Sequence, residues 1–164
     1  MLDEQEPKTA GLVGQADGVN HMDKVQEAVS VFKSGFNCSQ AIVRTYGPEY
    51  GLTPLDSLRV SCGFGGGMRR GDTCGAVTGA LMVLGLRYGP KDVTDTSAKN
   101  YVYSRVTEFC RRYESRCDSI ICRELLGCDI NTEEGMKQAG ENDLFKTVCP
   151  EMVQMAAEIL EEMC

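Results

Sequence analysis

Cysteine is the residue type through which this chain could do most chemistry. Nine cysteines stand in 164 residues. Four of them, Cys38, Cys74, Cys122 and Cys149, fall where the surrounding pattern predicts the first turn of a helix. A helix N-terminus presents free N–H groups and a partial positive charge. That field favours thiolate over thiol, and the thiolate is the form that attacks disulfides and binds metal. Four such positions in one small domain point to a shared site.

The arithmetic and spacing of the cysteines narrow the options. The count is odd, so internal disulfides cannot use all of them, and no C-x-x-C is present. That argues against a thioredoxin-like dithiol and a zinc ribbon, and the missing C-x-x-C-H excludes a c-type haem attachment. The lone histidine, His21, lies near the N-terminus, so any metal site must be mostly thiolate. One reading is an iron–sulfur centre, such as a [2Fe–2S] cluster, held by Cys38, Cys74, Cys122 and Cys149, since clusters tolerate wide sequence separation of their ligands. Gly65, Gly66 and Gly67 would then offer N–H donors beside it, and Arg69 and Arg70 positive charge. A second reading is metal-free thiol–disulfide chemistry, with Cys38 or Cys74 as the attacking nucleophile and another of the four resolving the mixed disulfide. Zinc is the third, because four thiolates satisfy its tetrahedral preference. Set against all three, a buried free cysteine often serves as a small hydrophobe. Cys62 borders the glycine-rich loop and could lie near the site, though core packing is the first reading; Cys110 reads as core, and Cys117, Cys128 and Cys164 as peripheral.

The elements that must position these residues read as helices throughout. Residues 1–21 lack periodicity and are expected to form a flexible tail, leaving 22–164 as the cysteine-rich domain. From Asp23, Val25, Ala28, Val29 and Phe32 recur at helical spacing, and Gly35 ends the run. Asn37 can cap CSQAIVRTYG, which Gly47 and Pro48 stop. Residues 55–62 read as a short helix that leads into the glycine-rich loop CGFGGGMRRGDTCG. Asp72 or Thr73 can cap CGAVTGALMVLGLRYG, which is small and apolar on nearly every face and is expected to be the central buried helix. Residues 95–116 carry the longest periodic stripe. Ser119 can cap a short helix ended by Gly127, residues 131–146 contain an irregular helix, and the last helix is expected to begin at Cys149 with Pro150 in its first turn. No useful β-alternation is present. The fold class is all-α, a compact single-domain bundle of about six or seven helices around the buried small-residue helix.

Composition excludes several function classes. The formal charge of −7 argues against a nucleic-acid footprint, which needs a basic face. The best apolar run, AVTGALMVLGL, is 11 residues long and too short to span a membrane. MLDEQEPKTAGLVG lacks the layout of a secretory signal, so a cytoplasmic location is expected.

The motifs N-C-S-Q-A, FGGGM, CGAVTGALMVLGL, CRELLG and CPEMV, in that order, resemble the redox-active protein family named for its C-GCAxxG-C-C signature. The resemblance runs from about Asp23 to the C-terminus. It places Cys38, Cys74, Cys122 and Cys149 at the signature cysteines. The central motif here reads Cys-Gly-Ala rather than Gly-Cys-Ala. The resemblance implies an α-helical redox protein, and a similar domain in split-Soret-type cytochromes has been linked to an iron–sulfur cluster. The expected function is therefore electron transfer or redox sensing, with a thiol–disulfide oxidoreductase or a zinc or metal-carrier module as alternatives. The expected partner is a redox protein of unknown identity, and the small-residue helix could equally pack across a homodimer axis.

Overall fold

In the computed structural model, residues 21–164 are described, with side chains from Lys24 onward. The expected tail, 1–21, falls almost wholly outside the described residues. Eight α-helices follow one another, and no strand occurs among the described residues. The count is slightly above the six or seven expected, and the two short segments read as helical, 55–62 and the run ended by Gly127, each contain a helix of their own.

Helix α1 (His21–Lys33) ends in a turn closed by the Gly35 amide on the Phe32 carbonyl. Helix α2 (Cys38–Tyr46) then starts on a complete capping box. Asn37 Oδ1 accepts from the Gln40 amide at 2.9 Å, and Gln40 Oε1 accepts from the Asn37 amide at 3.1 Å. Gly47 and Pro48 end the α-helix as expected, and the chain tightens there into a 3-10 turn. Helix α3 (Pro54–Ser61) is capped by Thr53 and carries proline at its first position, where a missing N–H is harmless.

Helix α4 (Gly75–Tyr88) packs most extensively against α2. Gly79 permits this. A Cβ there would stand 3.0 Å from the Ser39 carbonyl oxygen and 3.1 Å from Ile42 Cβ. The centre of the bundle is thus the α2–α4 pair rather than α4 alone. On α2, Cys38, Ser39, Ala41, Ile42, Val43, Thr45 and Tyr46 are all buried, while Leu81 and Met82 of α4 are only half-buried and Leu86 is exposed. Helix α4 is capped by neither Asp72 nor Thr73; the residue at its N-cap is Cys74.

Helix α5 (Ala98–Cys117) supplies the fully buried Phe109 and Tyr113, whose rings stack with centroids 6.0 Å apart. The short α6 (Cys122–Leu126) ends on left-handed Gly127, and α7 (Glu133–Glu141) is capped by Thr132. The final helix, α8 (Leu144–Met163), lies against α1, α2, α4 and α5 and closes the core with Val153, Ala156, Ala157, Ile159 and Leu160. Its first residue is Leu144, not Cys149. The apolar residues Leu144, Phe145 and Val148 gain enough by packing on the core to extend the helix upstream of Pro150.

Candidate functional site: a cavity lined by five cysteines

Three of the four cysteines do sit at helix starts. Cys38 is the first residue of α2, Cys74 the N-cap of α4, and Cys122 the first residue of α6. Cys149 is the exception, one turn and a half inside α8. The fold nevertheless brings all four to one place. Cys38, Cys74, Cys122 and Cys149 line a single cavity of about 280 Å³, and each is buried. All nine cysteines are free thiols.

The N-termini of α4 and α6 are registered by a short backbone exchange. The Cys74 amide donates to the Ile120 carbonyl and the Cys122 amide to the Asp72 carbonyl, both at 2.7 Å. Cys38 reaches the cavity from α2, and Cys149 enters from α8. Apolar side chains, among them Phe32, Leu126, Phe145, Val148 and Met152, complete most of the wall.

The thiols differ in electrostatic setting. Cys38 stands within hydrogen-bond reach of Cys149 and Cys74, and donating its proton to them holds its pKa well above the usual thiol value, with burial adding to the effect. Cys74 shifts the other way, down to about 7. The Cys38 thiol beside it is the main cause, opposed by burial; the amides of Ala76 and Val77 at the start of α4 and the Tyr113 hydroxyl add to the lowering. Those amides face the sulfur without forming a strict capping hydrogen bond. Within this pair Cys74 is the more acidic thiol and Cys38 the proton donor. Burial, then the charges of Cys74, Cys149 and Cys128, push Cys122 up to about 12.

The glycine-rich segment forms one side of the cavity in an unusual way. Gly66, Gly67, Met68 and Arg69 all have positive φ, at 62°, 59°, 57° and 59°. Left-handed geometry costs a non-glycine residue roughly 1–2 kcal/mol, so Met68 and Arg69 are held there by their surroundings. Gly67 is the fixed point, since a Cβ would lie 2.5 Å from both the amide nitrogen and the carbonyl oxygen of Asp72. Gly65, Gly66 and Arg69 line the cavity; Gly67 and Arg70 do not. Gly67 is packed on Asp72, and Arg70 is drawn to the Asp72 carboxylate at 3.4 Å.

Sequence reasoning missed several residues here. Cys62, read as core packing, is exposed and lines the cavity as a fifth cysteine. Cys128, read as peripheral, is buried near Cys122. Cys110 is half-buried against the core, and Cys117 is half-buried near the Tyr113 hydroxyl. Tyr113 itself was legible only as part of an apolar stripe. Its hydroxyl lies 3.3 Å from the Met152 carbonyl oxygen and also faces Cys74. The signal that could have found it is its position four residues before Cys117, which puts both on one helix face.

Residues 36–163 match the model of the family described as "Putative redox-active protein (C_GCAxxG_C_C)". The chain belongs to this family. The matched region begins just before α2 and contains Cys38, Cys74, Cys122 and Cys149, the glycine-rich turn and the whole of α2 to α8, so α1 alone among the helices lies outside it. No curated protein and no solved structure matches the chain. Membership supports a redox role. Among the described residues no helix is long and apolar enough to cross a membrane.

Proposed function

We propose that the cavity thiols form a single redox centre, and that Cys38, Cys74, Cys122 and Cys149 hold an iron–sulfur centre used for electron transfer or redox sensing. The observation that carries this reading is the convergence of four thiols, spread over more than a hundred residues of chain, on one buried cavity. Among the described residues no three His, Cys, Asp or Glu side chains are already grouped to hold one metal ion, so either a cluster or a zinc would have to draw the sulfurs inward. A single zinc would need its four sulfurs about 2.3 Å from one point, whereas a cluster places several atoms between its thiolates. An iron–sulfur centre would supply reversible one-electron chemistry. The chain would supply thiolate donors, the amide-rich starts of α2 and α4, and an apolar wall that limits water and so tunes the potential.

A second reading, metal-free thiol–disulfide exchange, is favoured by a different observation. Cys38 stands within hydrogen-bond reach of both Cys74 and Cys149, and the Cys74 pKa is lowered to about 7. A dithiol oxidoreductase needs such a nucleophile with a partner at hand.

The visible spectrum of anaerobically purified protein, with zinc analysis alongside, separates the readings. Bands at roughly 400–460 nm that bleach with dithionite are expected for the cluster. A colourless, metal-free, folded protein would leave the dithiol, and zinc without sulfide would favour the third option.

A further inference from the structure

Two residues at the mouth of the cavity are not used by a four-thiol centre. The first is Cys62, which is exposed yet lines the same cavity as Cys38 and Cys74. Its position is fixed. The Cys62 carbonyl oxygen accepts a 2.9 Å hydrogen bond from Asn37 Nδ2, and Asn37 is the cap residue directly before Cys38. The solvent-facing thiol is thereby fastened beside the helix start that carries a buried one.

The second is Arg69. It is exposed, lines the cavity, and is held in a left-handed backbone conformation that turns its side chain back along the wall. Its Nη1 and Cδ lie 3.7 and 3.8 Å from where a Gly66 side chain would begin. The nearest acid in sequence, Asp72, is already shared by Arg70 at 3.4 Å and Arg123 at 3.2 Å. Among the described residues Arg69 has neither a hydrogen-bond partner nor an ion pair. The mouth thus presents an unpaired cation and a free thiol in front of an apolar wall that includes Phe32 and Phe145.

We propose that this mouth docks a small anionic disulfide, with the substrate's carboxylate on Arg69 and its apolar body in the cavity, and that Cys62 is the thiol that first exchanges with it. The Cys62 thiolate attacks one substrate sulfur, the substrate S–S bond breaks, and one substrate thiolate leaves with a proton from water. The second step rests on the dithiol reading of the inner cysteines. Cys38, its proton passed to the Cys74 sulfur it hydrogen-bonds, attacks Cys62 Sγ and expels the second substrate thiolate, which takes that proton from Cys74. Cys74 then attacks Cys38 Sγ, freeing Cys62 and leaving a Cys38–Cys74 disulfide. Two electrons pass from the protein dithiol to the substrate, one disulfide is reduced and one is formed. Arg69 acts by charge alone, so its contribution is to the encounter and orientation of anionic substrates.

The test uses reduced, metal-free full-length protein in which Cys110, Cys117 and Cys164 are replaced by serine. Two coloured probes are compared, the anionic dithiobis(nitrobenzoate) and the neutral dithiodipyridine. Arg69→Gln is expected to slow the first thiolate release from the anionic probe by about tenfold and to leave the neutral probe unaffected. Arg59→Gln, the same charge change on an exposed α3 residue outside the cavity, is expected to change neither. Cys62→Ser is expected to remove the fast phase with both probes. Equal slowing by Arg69→Gln and Arg59→Gln, or a fast phase that survives Cys62→Ser, would overturn the proposal. A second thiolate release that disappears in Cys38→Ser is expected for the relay. First release with its Arg69 dependence intact but no second release would overturn the dithiol reading while the mouth assignment stands.

Discussion

Thr73 and Ile121 face each other across an isolated antiparallel bridge, and this one rung registers two site cysteines that lie 48 positions apart in the chain. On either side of it the amides of Cys74 and Cys122 donate 2.7 Å hydrogen bonds to the Ile120 and Asp72 carbonyls. Helices α4 and α6 therefore begin from a shared anchor. Both amides are expected to resist hydrogen exchange as strongly as the interior amides of α2, because opening either requires the two helix starts to part. Exchange at the rate of exposed loop amides would contradict this.

The thiols of the metal-free protein are expected to divide by pH. With its pKa lowered to about 7, Cys74 should be half thiolate near neutrality. Its alkylation by iodoacetamide, read by peptide mass spectrometry, should climb through pH 7 and level off above it. Cys122, pushed up to about 12, should lag throughout that range. Tyr113→Phe removes a donor to the Cys74 sulfur and should move the inflection upward. The sign for stability follows from the same shift. A thiol whose folded pKa is depressed contributes stability that is present above its unfolded value, near 9.0, and is lost as pH falls through about 7. Denaturation midpoints should accordingly drop across that window, and less so in Tyr113→Phe.

Two glycines on one helix should respond to the same substitution with opposite sign. Gly79→Ala forces a Cβ against Ser39 and Ile42 at 3.0–3.2 Å and should cost about 1–3 kcal/mol by chemical denaturation. Gly85→Ala meets nothing within 4 Å and should stabilise the protein by about 0.4–1 kcal/mol. Similar losses at both positions would mean that α2 and α4 are not in the close contact described.

Much of this site was legible in the sequence because it depends on local signals. Asn37, with Gln40 three residues on, announces the cap that places Cys38, and Gly127 announces the end of α6. The run of small residues from Gly75 to Ala80 announces a helix that another helix can approach closely. What was not legible depends on contacts between distant segments. Nothing near Cys149 in sequence shows that Leu144, Phe145 and Val148 pack, half-buried, against the core and carry the helix start upstream of Pro150. Cys62 looks like core packing beside an apolar segment, and only the long-range bond from Asn37 turns it to the cavity mouth. Tyr113 reads as one more apolar stripe residue until its hydroxyl is seen facing Cys74. The division of Arg69 from Arg70 depends on Asp72 being reached by Arg70 and by Arg123 from another helix.

The central claim is that Cys38, Cys74, Cys122 and Cys149 act as one centre. Its most direct test is the iron and acid-labile sulfide content of anaerobically purified protein, measured for the wild type and for the four single Cys→Ser variants, with Cys110→Ser as a folded control. The account predicts bound iron and sulfide in the wild type and in Cys110→Ser, and loss of both in each of the four variants. Wild-type protein free of iron and sulfide, or variants at two or more of the four positions that keep the full complement, would contradict it.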